Sequence, residues 1–189
     1  MGVTWLEYHR RFLSKKTALY DLSARSNRKF APACRNPPHQ EEPALNEPLV
    51  ILDMLGHPTT GRPTQPRTLA VIGLSDSPAK PSHSVSAYMQ QHGYRILPIN
   101  PTISEGSTLL GEPVYSSLAA LQVKPDVVNV FRLPKFIPFI VDEMIALGLK
   151  NLWVQLGIVN LEAAARAEQA GIRVVMDRCI LIEHARVVR

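Results

Sequence analysis

Nowhere do the 189 residues hold an apolar run near the roughly 18 that a membrane-spanning helix needs, because Pro, Gly or a charge interrupts each one. Cysteine is scarce as well. Cys34 and Cys179 stand far apart without metal-ligand spacing, which reads as a reduced, cytoplasmic setting and excludes a disulfide scaffold. Charge of one sign is not concentrated. A net +5 spread along the chain suits a holder of a polyanionic small molecule as well as a nucleic-acid binder, so it chooses neither. The histidines lack metal-ligand spacing, and no metal is expected.

Composition shifts near residue 66. Half of the 16 prolines fall in residues 1–66, among them Pro37, Pro38, Pro43, Pro48, Pro58, Pro63 and Pro66. With few apolar runs, such a segment buries too little to offset its ordering entropy, so residues 1 to about 60 are expected to be mobile. Between residues 4 and 30, Arg10, Arg11, Lys15, Lys16, Arg25, Arg28 and Lys29 face only Glu7 and Asp21. A non-structural extension, a transit peptide and a functional basic arm all fit that pattern. Leu49–Leu55 is the one stretch expected to form a turn or two of helix on the domain edge.

Residues 67–189 alternate regularly. Thr68-Leu-Ala-Val-Ile-Gly73 has the form of a strand buried on both faces. Ser82–Gln91 reads as a helix closed by Gly93. Strands follow at Tyr94–Ile99, Asp126–Phe131, Asn151–Gln155 and Arg173–Asp177. A helix opened by Pro134 ends at Gly148, an alanine-rich one is capped by Asn160, and Cys179–Arg189 reads as a short tail helix. Strands separated by single helices require right-handed crossovers and a parallel sheet. The expected fold is therefore α/β, a Rossmann-like doubly wound five-stranded sheet of order 3-2-1-4-5. Its ligand would lie outside the carboxyl ends of the strands.

The loops at those ends share a bias. Gly73 lets the chain turn close to a ligand, while Ser75, Ser77, Ser82 and Lys80 offer donors at a helix N-terminus, a set suited to pyrophosphate. Asn100-Pro101 ends the second strand. Phe131-Arg132 ends the third, an aromatic to cover a base and a guanidinium for phosphate. Gln155-Leu-Gly157 ends the fourth.

Val71-Ile-Gly-Leu-Ser75, His92-Gly-Tyr-Arg95, Pro98-Ile-Asn-Pro101, Val130-Phe-Arg132, Trp153-Val-Gln-Leu-Gly157 and Met176-Asp-Arg-Cys179, in this order, resemble the small stand-alone CoA-binding proteins of bacteria and archaea. Gly111-Glu112, Val114-Tyr115, Asn160 and Glu183-His184 add to the likeness, which spans residues 67–189 and leaves out 1–66. The family is similar in fold to the CoA-binding domain of the succinyl-CoA synthetase α-subunit. The resemblance implies coenzyme A as ligand, no established reaction for the isolated module, and a site at Gly73, Ser75, Ser77, Lys80, Asn100, Pro101, Phe131, Arg132, Gln155 and Gly157.

The rival is a nicotinamide or flavin dinucleotide bound by an oxidoreductase-like domain. Its fingerprint is Gly-x-Gly-x-x-Gly, with an acid ending the second strand to hold the ribose 2′-hydroxyl. Only Gly73 is present here; Ser75 and Pro78 stand where further glycines are wanted, and the strand ends in Asn100. An acid there would repel the ribose 3′-phosphate of CoA, whereas an amide does not. A CoA ligase would need a further domain carrying a phosphorylated histidine, and the residues after Asp177 are too few to form one. The function expected is a carrier, sensor or other binding module, alone, as a homo-oligomer or with an unidentified protein partner. Neither nucleic acid nor membrane is expected as a partner. The alternative is a CoA-dependent enzyme component using Cys179, the single catalytic candidate, with Arg178 beside it to favour thiolate and His184 further along the tail. The ligand expected is coenzyme A or an acyl-CoA.

Overall fold

In the computed structural model, residues 45–57, 67–104 and 106–187 are described. The expectations for residues 1–44 and 58–66 fall outside them.

Five strands make one parallel sheet: β1 (Thr68–Ile72), β2 (Arg95–Ile99), β5 (Val127–Val130), β6 (Asn151–Val154) and β7 (Arg173–Met176). A two-stranded hairpin, β3 (Thr108–Leu109) and β4 (Glu112–Pro113), stands apart. Successive side chains on a strand point to opposite faces, so strands buried on both are almost wholly apolar, with Asn129 of β5 a buried polar exception. Ala70, Ile72, Val128, Val130, Leu152, Val154, Val174 and Met176 fill one face. Helices α3 (Ile137–Ala146) and α4 (Leu161–Gln169) cover it through Ile140, Val141, Met144, Ala163, Ala164 and Ala167. Leu69, Val71, Ile96, Val127, Trp153 and Val175 fill the other. There α2 (Pro81–Gln91) supplies Val85 and Met89, and the tail helix α5 (Ile180–Val187) supplies Ile180.

The sheet order is β2-β1-β5-β6-β7, and this corrects the expected 3-2-1-4-5. The third long strand, β5, pairs with β1 (Leu69 opposite Val127) and not with β2. The reason lies in residues 100–126, which hold no crossover helix among the described residues. That segment forms the hairpin and then lays Tyr115 beside β2 as a single bridge to Ile99. Tyr115 N–H donates to Pro98 O at 2.9 Å, and its carbonyl accepts from Asn100 N–H at 3.0 Å. The outer edge of β2 is thus taken by one residue, and the chain returns across β1 to start β5. The winding direction reverses between β1 and β5, which puts the ligand crevice there.

The helix expected within Leu49–Leu55 is present as α1 (Pro48–Met54), and it is docked. Ile51, Met54 and Leu55 join the second core face. Asn46 completes the open edge of β7: its carboxamide accepts from Met176 N–H at 2.8 Å and donates to Met176 O at 3.0 Å, standing in for a neighbouring strand. The Asp53 carboxylate lies 3.0 Å from Arg67 and 2.7 Å from Arg173. Packing therefore begins upstream of residue 67, at Leu45 among the described residues.

Asn46→Ala removes both edge hydrogen bonds and leaves the Met176 amide without them. It is expected to lower unfolding stability by about 1–3 kcal/mol, read from the denaturant midpoint. An unchanged midpoint would show that the segment does not brace the sheet.

Candidate ligand cavity

A cavity of about 560 Å³ opens over the carboxyl ends of β1, β5, β6 and β7. Sheet hydrogen bonding carries on into its walls: Gly73 N–H donates to Ile99 O at 2.8 Å, Phe131 N–H to Ile72 O at 2.9 Å, and Gln155 N–H to Val130 O at 3.2 Å. Each loop therefore leaves the sheet in register.

The β1 loop is shaped by Gly73, whose φ is +87°. A Cβ there would lie 3.1 Å from Cδ of Arg132, so a side chain would be strained in the backbone and would push the Arg132 stem by a few tenths of an ångström. Beyond it the serines fold on one another. Ser75 N–H donates to Ser82 Oγ at 3.1 Å, and Ser77 N–H to Ser75 Oγ at 3.2 Å. Helix α2 begins at Pro81 with no side-chain cap, which leaves its positive end to the cavity. Lys80 lies at that end with no carboxylate in ion-pair reach among the described residues.

Five of the ten expected site residues line the cavity: Gly73, Ser75, Lys80, Phe131 and Gln155. The other five stand behind it or outside it. Ser77 shapes the loop. The Asn100 carboxamide is spent on Leu74 O (2.9 Å) and on Thr102, whose N–H and hydroxyl it accepts at 3.1 and 2.8 Å. Pro101 sits exposed in the turn that follows. Arg132 packs its carbon stem behind Gly73 and holds its guanidinium 4.4 Å from the centre of the Phe136 ring. Gly157, at φ +82°, donates its N–H to the Asp177 carboxylate at 2.7 Å and so turns Leu156 and Ile158 to the cavity in its place. The wall also holds Ser82, one of the loop donors named from the sequence, and Pro81, Val85 and Ile182, which were not. Val85 is one helical turn beyond Ser82, and Ile182 three residues beyond Cys179, so helical spacing was the signal that could have found them.

Cys179 does line the cavity, but without the partners expected for it. Arg178 reaches Glu183 at 3.6 Å, which also takes Arg186 at 2.8 Å. His184 turns away to α2, where Nδ1 meets the Tyr88 hydroxyl at 3.2 Å and the ring packs edge-on to Tyr94 and His92. Tyr94 in turn donates its hydroxyl to Leu55 O at 2.6 Å, and burial pushes its pKa up to about 12, with Arg67 opposing. This aromatic cluster ties the tail helix, and with it one wall of the cavity, to α2 and the docked N-terminal segment.

Residues 67–185 match the family model described as CoA binding domain. The chain belongs to that family. It is 42% identical over 119 residues to the uncharacterized protein YneT of Bacillus subtilis (strain 168), covering 63% of this chain and 86% of that one. A solved structure from Thermus thermophilus, titled cell-free ID.343, is 39% identical with a TM-score of 0.62, over 65% of this chain and 91% of its own. A hypothetical protein from Pyrococcus horikoshii OT3 is 32% identical with a TM-score of 0.64, over 74% and 90%.

His184 is held below its ordinary value of 6.5 by burial first and then by the charges of His92 and His57. Its folded form resists a proton that the unfolded chain accepts. Stability is therefore full above about pH 6.5 and is lost as pH falls from there through the depressed folded value. Thermal melts between pH 7.5 and 5 are expected to show this fall, and His184→Gln to flatten it while lowering the melting temperature at pH 7.5. An unaltered slope in the variant would remove His184 as its cause.

Proposed function

We propose that the cavity binds coenzyme A and that the chain acts as a carrier or sensor module for it. The observation that carries this reading is the cavity's asymmetry. At β1 it offers Lys80, the Ser82 hydroxyl and the uncapped start of α2, while the Ser75 hydroxyl donates to Asp76 at 3.4 Å, and its lining residues include no Asp or Glu. At β6 and β7 it offers Leu156, Ile158, Ile182 and Cys179. The two ends stand up to three strand spacings apart, roughly 14 Å. A ligand with phosphates at one end and a long chain ending in sulfur at the other suits both. Membership of the CoA binding domain family supports the same ligand.

A dinucleotide is less well served. No acid ends β2 to hold a ribose 2′-hydroxyl, and the Asn100 that stands there is committed to Leu74 and Thr102.

Calorimetric titration with CoA and with NAD tests the ligand; tighter binding of NAD would overturn the reading. Lys80→Ala is expected to weaken CoA by about 1.5–3 kcal/mol, the range for a hydrogen bond to a charged group. Arg132→Ala should cost less than Lys80→Ala, since Arg132 lies behind Gly73 and off the cavity wall. The reverse order would move the phosphate subsite toward Arg132.

A further inference from the structure

Two buried polar side chains of the cavity wall have bonding capacity that the protein leaves unused. Ser82 is 6% exposed, and its Oγ already accepts the Ser75 N–H. No acceptor for its own proton occurs among the described residues. Gln155 is 3% exposed and gives its Nε2 hydrogen to Asn129 Oδ1 at 2.8 Å, while its carboxamide oxygen has no donor among the described residues. Both line the cavity, so the Ser82 proton and the Gln155 carboxamide oxygen are open to a ligand that enters it. The donor Ser82 suits a phosphate near Lys80. The acceptor Gln155, two strands away, suits an amide N–H, which the chain linking the phosphates of CoA to its thiol contains. A ligand laid along Ser82 and then Gln155 runs toward β7 and ends at Cys179.

Cys179 is placed to react there. It is half-buried, it is the one free thiol among the described residues, and it lies on the same wall as Leu156 and Ile182. Those two are 61% and 42% exposed, so this end of the cavity reaches solvent. We propose that Cys179 exchanges with the disulfide form of coenzyme A and holds one CoA covalently. This rests on the reading of the cavity as a CoA site. The Cys179 thiolate attacks one sulfur of the CoA disulfide, its own proton going to solvent. A Cys179–CoA disulfide bond forms as the CoA–CoA bond breaks, and the second CoA leaves as a thiolate through the open end and takes up a proton. Two electrons stay shared across one disulfide throughout, so no further oxidant takes part. A reduced thiol, such as CoA itself, reverses the step, and covalent occupancy follows the ratio of CoA disulfide to CoA thiol.

The test uses the full chain carrying Cys34→Ser, so that Cys179 is the single thiol, stripped of ligand under reductant. CoA disulfide and glutathione disulfide are added in separate samples at equal concentration, and intact mass is followed with time. Expected is a gain of one CoA, mapped by peptide digestion to Cys179, released by reductant and absent in Cys179→Ser. The noncovalent site concentrates the reagent beside the thiol, so the CoA adduct should form at least about tenfold faster than the glutathione adduct. Excess reduced CoA should slow it, and so should Lys80→Ala. Equal rates with the two disulfides would overturn the proposal, showing a thiol that is merely exposed. CoA bound by calorimetry without any adduct would overturn the exchange and leave the CoA site standing. Neither binding nor adduct would overturn both.

Discussion

The contact on which the site depends is the approach of Gly73 to Arg132. At the end of β1 the chain must turn in the left-handed region, and the stem of Arg132 lies so near that a methyl group would touch it at 3.1 Å. Gly73 thus joins the two strands between which the winding reverses. Once β1 and β5 leave the sheet this close together, their loops diverge above them and the crevice opens. The Ser75 and Ser82 pair, the start of α2 and the ring of Phe131 all take their positions from that divergence.

A second set of contacts holds the far wall. Helix α5 carries Ile182 and follows Cys179, and it would be a frayed terminal element if left alone. It is fixed by Ile180 in the core and by His184 among Tyr88, His92 and Tyr94. Tyr94 hands the same restraint to Leu55, and so to the segment that Asn46 and Asp53 pin on the sheet edge. Residues outside the family match therefore support the wall of the site within it.

Most of the fold could be read from residues 67–187 because strands buried on both faces leave continuous apolar runs, and glycines such as Gly93, Gly148 and Gly171 mark where helices stop. The strand order could not. It turns on Tyr115 occupying the edge of β2, a one-residue bridge with no period of its own to detect. The site divided in the same way. Gly73 and Phe131 stand directly at strand ends and Lys80 at the start of α2, and all three line the cavity. Asn100 and Gly157 also stand at strand ends, yet their polar groups close on Leu74 and Asp177. A residue's place at the end of a strand can be read from sequence; whether its hydrogen bonds turn inward or toward a ligand depends on three-dimensional neighbours. Asn46 was hidden for the same reason, since its partner is 130 positions away.

The wall is a mixture of donors, apolar surface and one thiol. General acid–base catalysis needs a group that titrates near neutral pH within reach of the substrate. The cavity's lining residues include no carboxylate and no imidazole. Around it, Asp76 accepts from Ser75 Oγ at 3.4 Å, Asp177 accepts from Gly157 N–H, Glu183 holds Arg178 and Arg186, and His184 meets the Tyr88 hydroxyl. What remains are donors for an anion, apolar surface for a chain, one open acceptor at Gln155 and one thiol. These suit the proposed ligand and the proposed exchange, and they lie in a single row along the ends of four parallel strands.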